Sequence, residues 1–190
     1  MKLKFILVTL LFFLVKPGTS QTFDCYITND TLVSKTQFEF DVFLKSTSED
    51  FLFRTIQLAI AINPEFTPSG ESPEISYVEG SSNIKMFKPG RFKTSESPNF
   101  SFFLMTSSNS PSCKESTIIS NKPVRVGRFI IKSKSGNFTS AQPNIKLIGP
   151  KEKVDKETIK FKMSVTKWST LDCSVPTAVL LNNFGNYFTK

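Results

Sequence analysis

The 190-residue chain contains no histidine. That absence removes the usual serine and cysteine triads, which need an imidazole to carry the proton, and most zinc centres, which draw on His or on paired Cys. Cysteine is scarce as well: Cys25, Cys113 and Cys173 occur singly, with no C-x-x-C spacing. Tryptophan occurs once, at Trp168. Beyond residue 20 no apolar run approaches the roughly eighteen residues that a spanning helix needs. Nor does any stretch repeat apolar residues at the three-and-four spacing of an amphipathic helix. The charged piece Lys151 to Glu157 has helix-forming residues but no apolar stripe to bury.

What is present begins with a leader. Lys2 and Lys4 precede an apolar run from Phe5 to Val15 broken only by Thr9, and Gly18-Thr19-Ser20 supplies small residues before Gln21. Residues 1–20 read as a signal peptide cut after Ser20, so the expected location is secreted or cell-surface, with no membrane span after cleavage. An oxidising destination permits one disulfide and leaves one thiol over. Three pairings are open; Cys25 with Cys113 is favoured, because Cys173 falls in what reads as a linker. Charge is uneven: residues 23–121 hold 8 basic and 12 acidic side chains, whereas residues 122–167 hold 12 basic and 3 acidic. The lysines are spread along alternating strands, which is the pattern of a solvated face. For an exported chain, an anionic glycan is a better match to that excess than nucleic acid.

The strand signal is strong. Phe38, Phe40, Val42 and Leu44 alternate with Glu39 and Asp41, and after a polar break at residues 46–50 the alternation resumes with Ile56, Leu58, Ile60 and Ile62. The pair reads as a hairpin with a five-residue loop. Phe51 and Phe53 stand in the opposite phase from the isoleucines, so a bulge is expected near Arg54 or Thr55. Further strands are expected at Ile75–Val78, at Asn99–Met105 with Phe100, Phe102 and Leu104 in phase, at Lys122–Lys134, at Asn144–Ile148 and at Ile159–Trp168. In the Lys122–Lys134 segment the apolar phase changes at Gly127, which marks a second bulge. The result is an all-β, antiparallel β-sandwich of seven or eight short strands over residues 21–170.

The order of these pieces carries a resemblance. The strand pair, then "AIAINPEF" running into Asn63-Pro64, then "EGSS", and later "VGRFIIKSK" resemble the cohesin-like modules of the carbohydrate-binding β-sandwich superfamily. The resemblance implies a cohesin-like, jelly-roll-like sandwich of about eight or nine strands with a non-enzymatic binding role. The last segment, "DCSVPTAVLLNNFGNYFTK", resembles the linker and first strand of the small β-domain that follows such modules in surface proteins exported by the bacterial type IX system. It implies that residues 171–190 open a truncated following domain; the other reading is a final strand completing the first sandwich.

Chemistry is thinly supplied. Glu39 and Asp41 share one strand face, as paired carboxylates would, but acidic residues on the solvent side of a half-buried strand are the commoner arrangement. Asp24, Asp30, Glu49 and Asp50 lack the D-x-D-x-D-G run of a calcium loop. For binding, Trp168 lies opposite the buried phase of its strand and can stack on a sugar ring, or fold over the sandwich rim as packing. Tyr77 beside the long loop after Phe66 has the same two readings. The run "MFKPGRFK", Met86 to Lys93, mixes aromatics and cations as nucleic-acid sites do, while its Pro-Gly pair signals a surface turn. No cofactor, metal or nucleic-acid partner is expected. The expected function is a non-catalytic extracellular module that binds polysaccharide or, on the same fold, a cell-surface protein through adhesion or scaffolding.

Overall fold

A computed structural model describes residues 21–68, 72–97, 100–107, 110–149, 163–181 and 184–189, with backbone only for 95–97 and 184–189. The alternating stretches become strands, twelve among the described residues: β1 (Phe23–Ser34), β2 (Gln37–Ser46), β3 (Phe51–Ile62), β4 (Glu74–Tyr77), β5 (Lys93–Ser97), β6 (Phe100–Thr106), β7 (Ile118–Ile119), β8 (Val124–Lys132), β9 (Lys146–Leu147), β10 (Ser164–Trp168), β11 (Ala178–Leu181) and β12 (Phe184–Thr189). They form two sheets. One runs β12-β1-β2-β8-β4; the other runs β11-β10-β3-β6-β5, with β7 and β9 also paired to β3. Every pairing is antiparallel except β1 with β12. The all-β sandwich is therefore the observed class, with more strands than the alternation alone delimits. Among the described residues no helix is long and apolar enough to cross a membrane.

The core lies between the sheets. Phe23, Cys25 and Ile27 from β1 and Phe40, Val42 and Leu44 from β2 meet Ile56, Leu58 and Ile60 from β3 and Phe103 and Met105 from β6, all essentially without solvent exposure. Phe40 stacks on Phe129 of β8 at 5.5 Å between ring centroids. Burying a Val, Leu, Ile or Phe side chain contributes about 1.5–3 kcal/mol relative to leaving it exposed, and this set holds the two layers together.

The expected hairpin is corrected. β2 pairs with β1 and β8, whereas β3 belongs to the other sheet. The four residues between them arch across the core: Thr47 N–H donates to Thr22 O at 3.0 Å, and Ser46 N–H donates to Ser120 O at 2.7 Å. A period-two pattern is identical whether two strands lie side by side or face each other across about 10 Å of core. The real hairpin is one strand earlier, β1 to β2 around Lys35-Thr36, and the alternation of Phe23, Cys25 and Ile27 on β1 is its signature.

Both expected bulges are present. Along β3 the ladder to β10 passes from Thr55 to Phe53 and skips Arg54, so Phe51, Phe53 and the isoleucines all reach the core despite opposite phases. Along β8 the ladder to β2 passes from Gly127 to Arg125 and skips Val126. On β6 the phase is the reverse of the expected one. Phe103 and Met105 face the main core, while Phe102 turns to the outer face and forms a small second cluster with Ala59, Ala61 and Ile148. The sequence pattern hides this because β3 and β6 are covered on both faces, and a strand buried on both faces has no polar phase.

Two further expectations are corrected. The disulfide joins Cys113 to Cys173, with 5.7 Å between Cα atoms, and Cys25 is a free thiol. Cys25 points into the core from β1, where burial pushes its pKa up and keeps it a protonated, unreactive thiol. Cys113 and Cys173 sit on turns at the rim of the other sheet. Residues 171–190 are expected from the sequence to begin a following domain; their described strands pair within the sandwich instead, β11 extending one sheet beside β10 and β12 extending the other beside β1. Ile159 and Phe161 lie outside the described residues.

Candidate binding groove

The polar groups of the outer sheet face are organised around one carboxylate. Asp41 on β2 is fully buried although it points away from the core. Arg128 on β8 donates from Nε to Oδ1 at 2.9 Å and from Nη2 to Oδ2 at 3.1 Å; Asn29 on β1 adds Nδ2 to Oδ2 at 2.8 Å. Arg125 brings Nη1 within 3.8 Å of the same carboxylate. Burial pushes the Asp41 carboxyl up, but the hydrogen bonds from Arg128 and Asn29 and the charges of both arginines more than offset it, so it titrates below its ordinary value. The sequence places Asp41 on a solvated face; the arginines of β8, one on each side of the Gly127 bulge, close over it.

That lattice continues into a loop. Arg125 also donates from Nε to Ser81 O at 2.6 Å, Arg128 N–H donates to Ser81 Oγ at 2.8 Å, and Ser81 Oγ donates to Val78 O at 2.6 Å. The turn after β4, with Gly80 in the left-handed region at φ 73°, is thereby bolted to the sheet. Residues 84–92 are held from the other side. Ile84 is buried, Phe87 N–H donates to Ile84 O at 3.3 Å, Lys85 N–H to Thr117 Oγ1 at 2.8 Å, and Gly90 N–H to Thr106 O at 2.8 Å. A Cβ on Gly90 would lie 2.5 Å from that same carbonyl oxygen, so the contact needs glycine.

Between these two braced segments lies an open groove of about 450 Å³ lined by Tyr77, Glu79, Gly80, Phe87, Lys88 and Pro89. Tyr77 and Phe87 form its apolar wall, with ring centroids 5.7 Å apart and planes at 58°. Behind, Tyr77 packs edge-on against Phe129 at 5.8 Å. Its ring crosses Gly127 so closely that a Cβ there would stand 2.4 Å from Cε2. The phase-changing glycine of β8 thus does two things: it bulges the strand and it makes room for the aromatic wall. A second hollow of about 200 Å³, lined by Ile27, Asp30, Gln142, Pro143, Asn144, Ile145 and Lys146, has no aromatic ring.

The structure brings Tyr77 and the Met86–Lys93 run together, a juxtaposition that chain distance conceals. Trp168 is elsewhere, at the end of β10. Its Nε1–H donates to Ser116 Oγ at 2.8 Å, and the Arg54 guanidinium lies over the ring at 4.9 Å from its centroid. Arg54 is fixed in turn by Ser110 Oγ at 3.0 Å. The indole N–H and one ring face are committed to the chain itself, beside the Cys113–Cys173 disulfide. Among the described residues no group of three His, Cys, Asp or Glu converges as metal ligands would.

No protein-family model matches the chain, and no curated protein matches it. Among solved structures, endoglucanase CelQ from Clostridium thermocellum complexed with cellobiose and cellotriose matches with a TM-score of 0.40 at 11% identity, over 70% of this chain and 24% of that one. The same enzyme complexed with cellotetraose matches with a TM-score of 0.38 at 11% identity, over 67% of this chain and 23% of that one. This chain spans about a quarter of the length of those chains. A likeness at that level carries neither a site nor a substrate to this molecule.

Proposed function

We propose that this chain is a non-catalytic module exported to the cell surface or beyond, and that it binds a glycan in the Tyr77–Phe87 groove. The observation that carries the reading is the aromatic wall itself: Tyr77, backed by Phe129 and the Gly127 gap, meets Phe87 in an open groove whose lining also holds Glu79 and Lys88. Sugar rings present apolar C–H faces and a girdle of hydroxyls. A concave site that pairs aromatic surface with a few fixed polar groups is the form that holds them. Preorganisation matters as much as composition, since a wall that is already rigid loses little conformational entropy on binding. The groove lining holds one carboxylate, Glu79, whereas glycoside hydrolysis ordinarily uses two; binding without turnover is the simpler use of this lining. The cohesin-like character belongs to the same proposal and rests on the motif order in the sequence.

A glycan array read with wild type, Phe87→Ala and Trp168→Ala tests the site. Wild type and Trp168→Ala should retain the same hits, and Phe87→Ala should lose them by about tenfold or more. Binding that survives Phe87→Ala but vanishes with Trp168→Ala would move the site to the rim of the other sheet. A protein partner is the second reading. It is favoured by the exposed Val179 and Leu180 on β11, the last strand in the order of its sheet, because an apolar sheet edge can accept an added strand.

A further inference from the structure

We propose that the groove selects an acidic glycan, through a cation array on the loop that forms its wall; this rests on the glycan reading above and adds the ligand's charge. The segment "KMFKPGRFK", Lys85 to Lys93, carries Lys85, Lys88, Arg91 and Lys93 with no acidic residue among them, and all four are exposed. Lys88 lines the groove directly. The loop's backbone is tied down at Lys85 by Thr117, at Phe87 by Ile84 and at Gly90 by Thr106. Four positive charges are therefore mounted on a braced segment rather than a free tail.

This is not where the sequence puts the basic excess. Of the cations in residues 122–167, Arg125 and Arg128 are engaged by Asp41, and Arg128 also meets Glu39 at 3.7 Å. The cation in the groove lining, Lys88, comes from the 85–93 segment, in the half of the chain with the smaller basic count, and faces one carboxylate in that lining, Glu79. The chemistry of the occupant follows from the combination. A sugar ring seated against Tyr77 and Phe87 would place a ring carboxylate or sulfate within the field of Lys88 and its neighbours. A nucleic acid shares the charge but not the fit: the two rings meet at 58°, which cradles a puckered ring from two sides and does not form the parallel slot that a flat base takes.

The test uses the full chain and titration calorimetry with sodium polygalacturonate, its fully methyl-esterified neutral counterpart, and single-stranded DNA. Lys88→Gln/Arg91→Gln and Phe87→Ala are run alongside wild type, with thermal melting of each as a folding control. The acid polymer should bind at least about tenfold more tightly than its ester. That preference should shrink as salt rises from about 0.05 to about 0.3 M, because exposed charges are screened over distances near 10 Å or less. The Lys88→Gln/Arg91→Gln variant should lose the preference while keeping its melting temperature. Equal binding of acid and ester, or salt-independent binding, would overturn the charge selection and leave the glycan reading standing. Failure of wild type to bind either polymer, with array binding confined to neutral sugars, would do the same. Failure to bind any saccharide would remove both. DNA binding at equal or greater strength would overturn the glycan assignment.

Discussion

Asp41 is the residue on which the groove's support depends. It is a buried carboxylate with two arginines and an asparagine around it, and the arginines are the same ones that hold Ser81 and the turn after β4. Replacing it with alanine leaves Arg125 without this anion and Arg128 with Glu39 alone; removal of one partner from a buried pair costs about 3–5 kcal/mol, and the half-exposed arginines put the expected loss at the low end, about 3 kcal/mol by urea denaturation. The pH dependence has a definite sign. Because the folded-state pKa is depressed, the stabilisation is fully present above the ordinary carboxylate value and disappears as pH falls through the folded value. The stability gap between wild type and Asp41→Asn should therefore be widest above about pH 5 and narrow toward about pH 2; a gap that widens on acidification would contradict the ion-pair lattice. Gly127→Ala probes the room behind the aromatic wall. The added methyl would meet the Tyr77 ring, which Phe129 and Phe87 prevent from retreating. Overpacking of this kind costs about 1–3 kcal/mol, and saccharide binding should fall along with the melting temperature.

At the level of elements, the alternation on β2 and β3 is readable residue by residue. The bulges at Arg54 and Gly127 are readable too, because two apolar stripes of opposite phase can face one core only if the strand takes up an extra residue between them. Which strands pair is not readable from the same stripes. β2 and β3 carry matching even-numbered patterns that fit one sheet or two, and the decision lies with the hydrogen bonds of residues 46 and 47 to Ser120 and Thr22. The free and bonded cysteines follow suit. Cys25 lies between Phe23 and Ile27 on the core face of β1, and only the paired sheets show that this face is remote from the Cys113–Cys173 bridge. The core of this pairing can be probed at Phe40, which is fully buried and stacked on Phe129. Phe40→Ala should cost about 3–5 kcal/mol in chemical denaturation, and a loss under about 1 kcal/mol would mean that the two sheets do not close on that ring.

For the whole molecule, closure depends on contacts that span most of the chain. β1 lies between β2 and β12, and β3 is flanked by β6 and β10, so each sheet is completed by a segment from the C-terminal part of the chain paired to one far earlier in the sequence. The Cys113–Cys173 bridge closes a loop of 60 residues across one rim. On the chain-entropy account a loop of that size restricts the unfolded state by about 4 kcal/mol, which corresponds to roughly 10 °C in melting temperature for a domain of this size. Calorimetry with and without reductant, or with Cys113→Ala/Cys173→Ala, should show that drop. An unchanged melting temperature would show that the rim is held without the bridge, by Trp168 with Ser116 and Arg54.

The layer type, the strands with clean alternation and the two bulges are legible in the chain before it folds, since each is a property of neighbouring residues and of side-chain period; the lack of histidine is legible in composition. Three features arise only on folding: Tyr77 shares a groove with Phe87, Lys88 and Pro89, Asp41 is buried on an outward face, and Cys113 meets Cys173. The reason is physical: period and phase say which way a side chain points, but what it meets there is set by long-range pairing between segments that no local pattern connects.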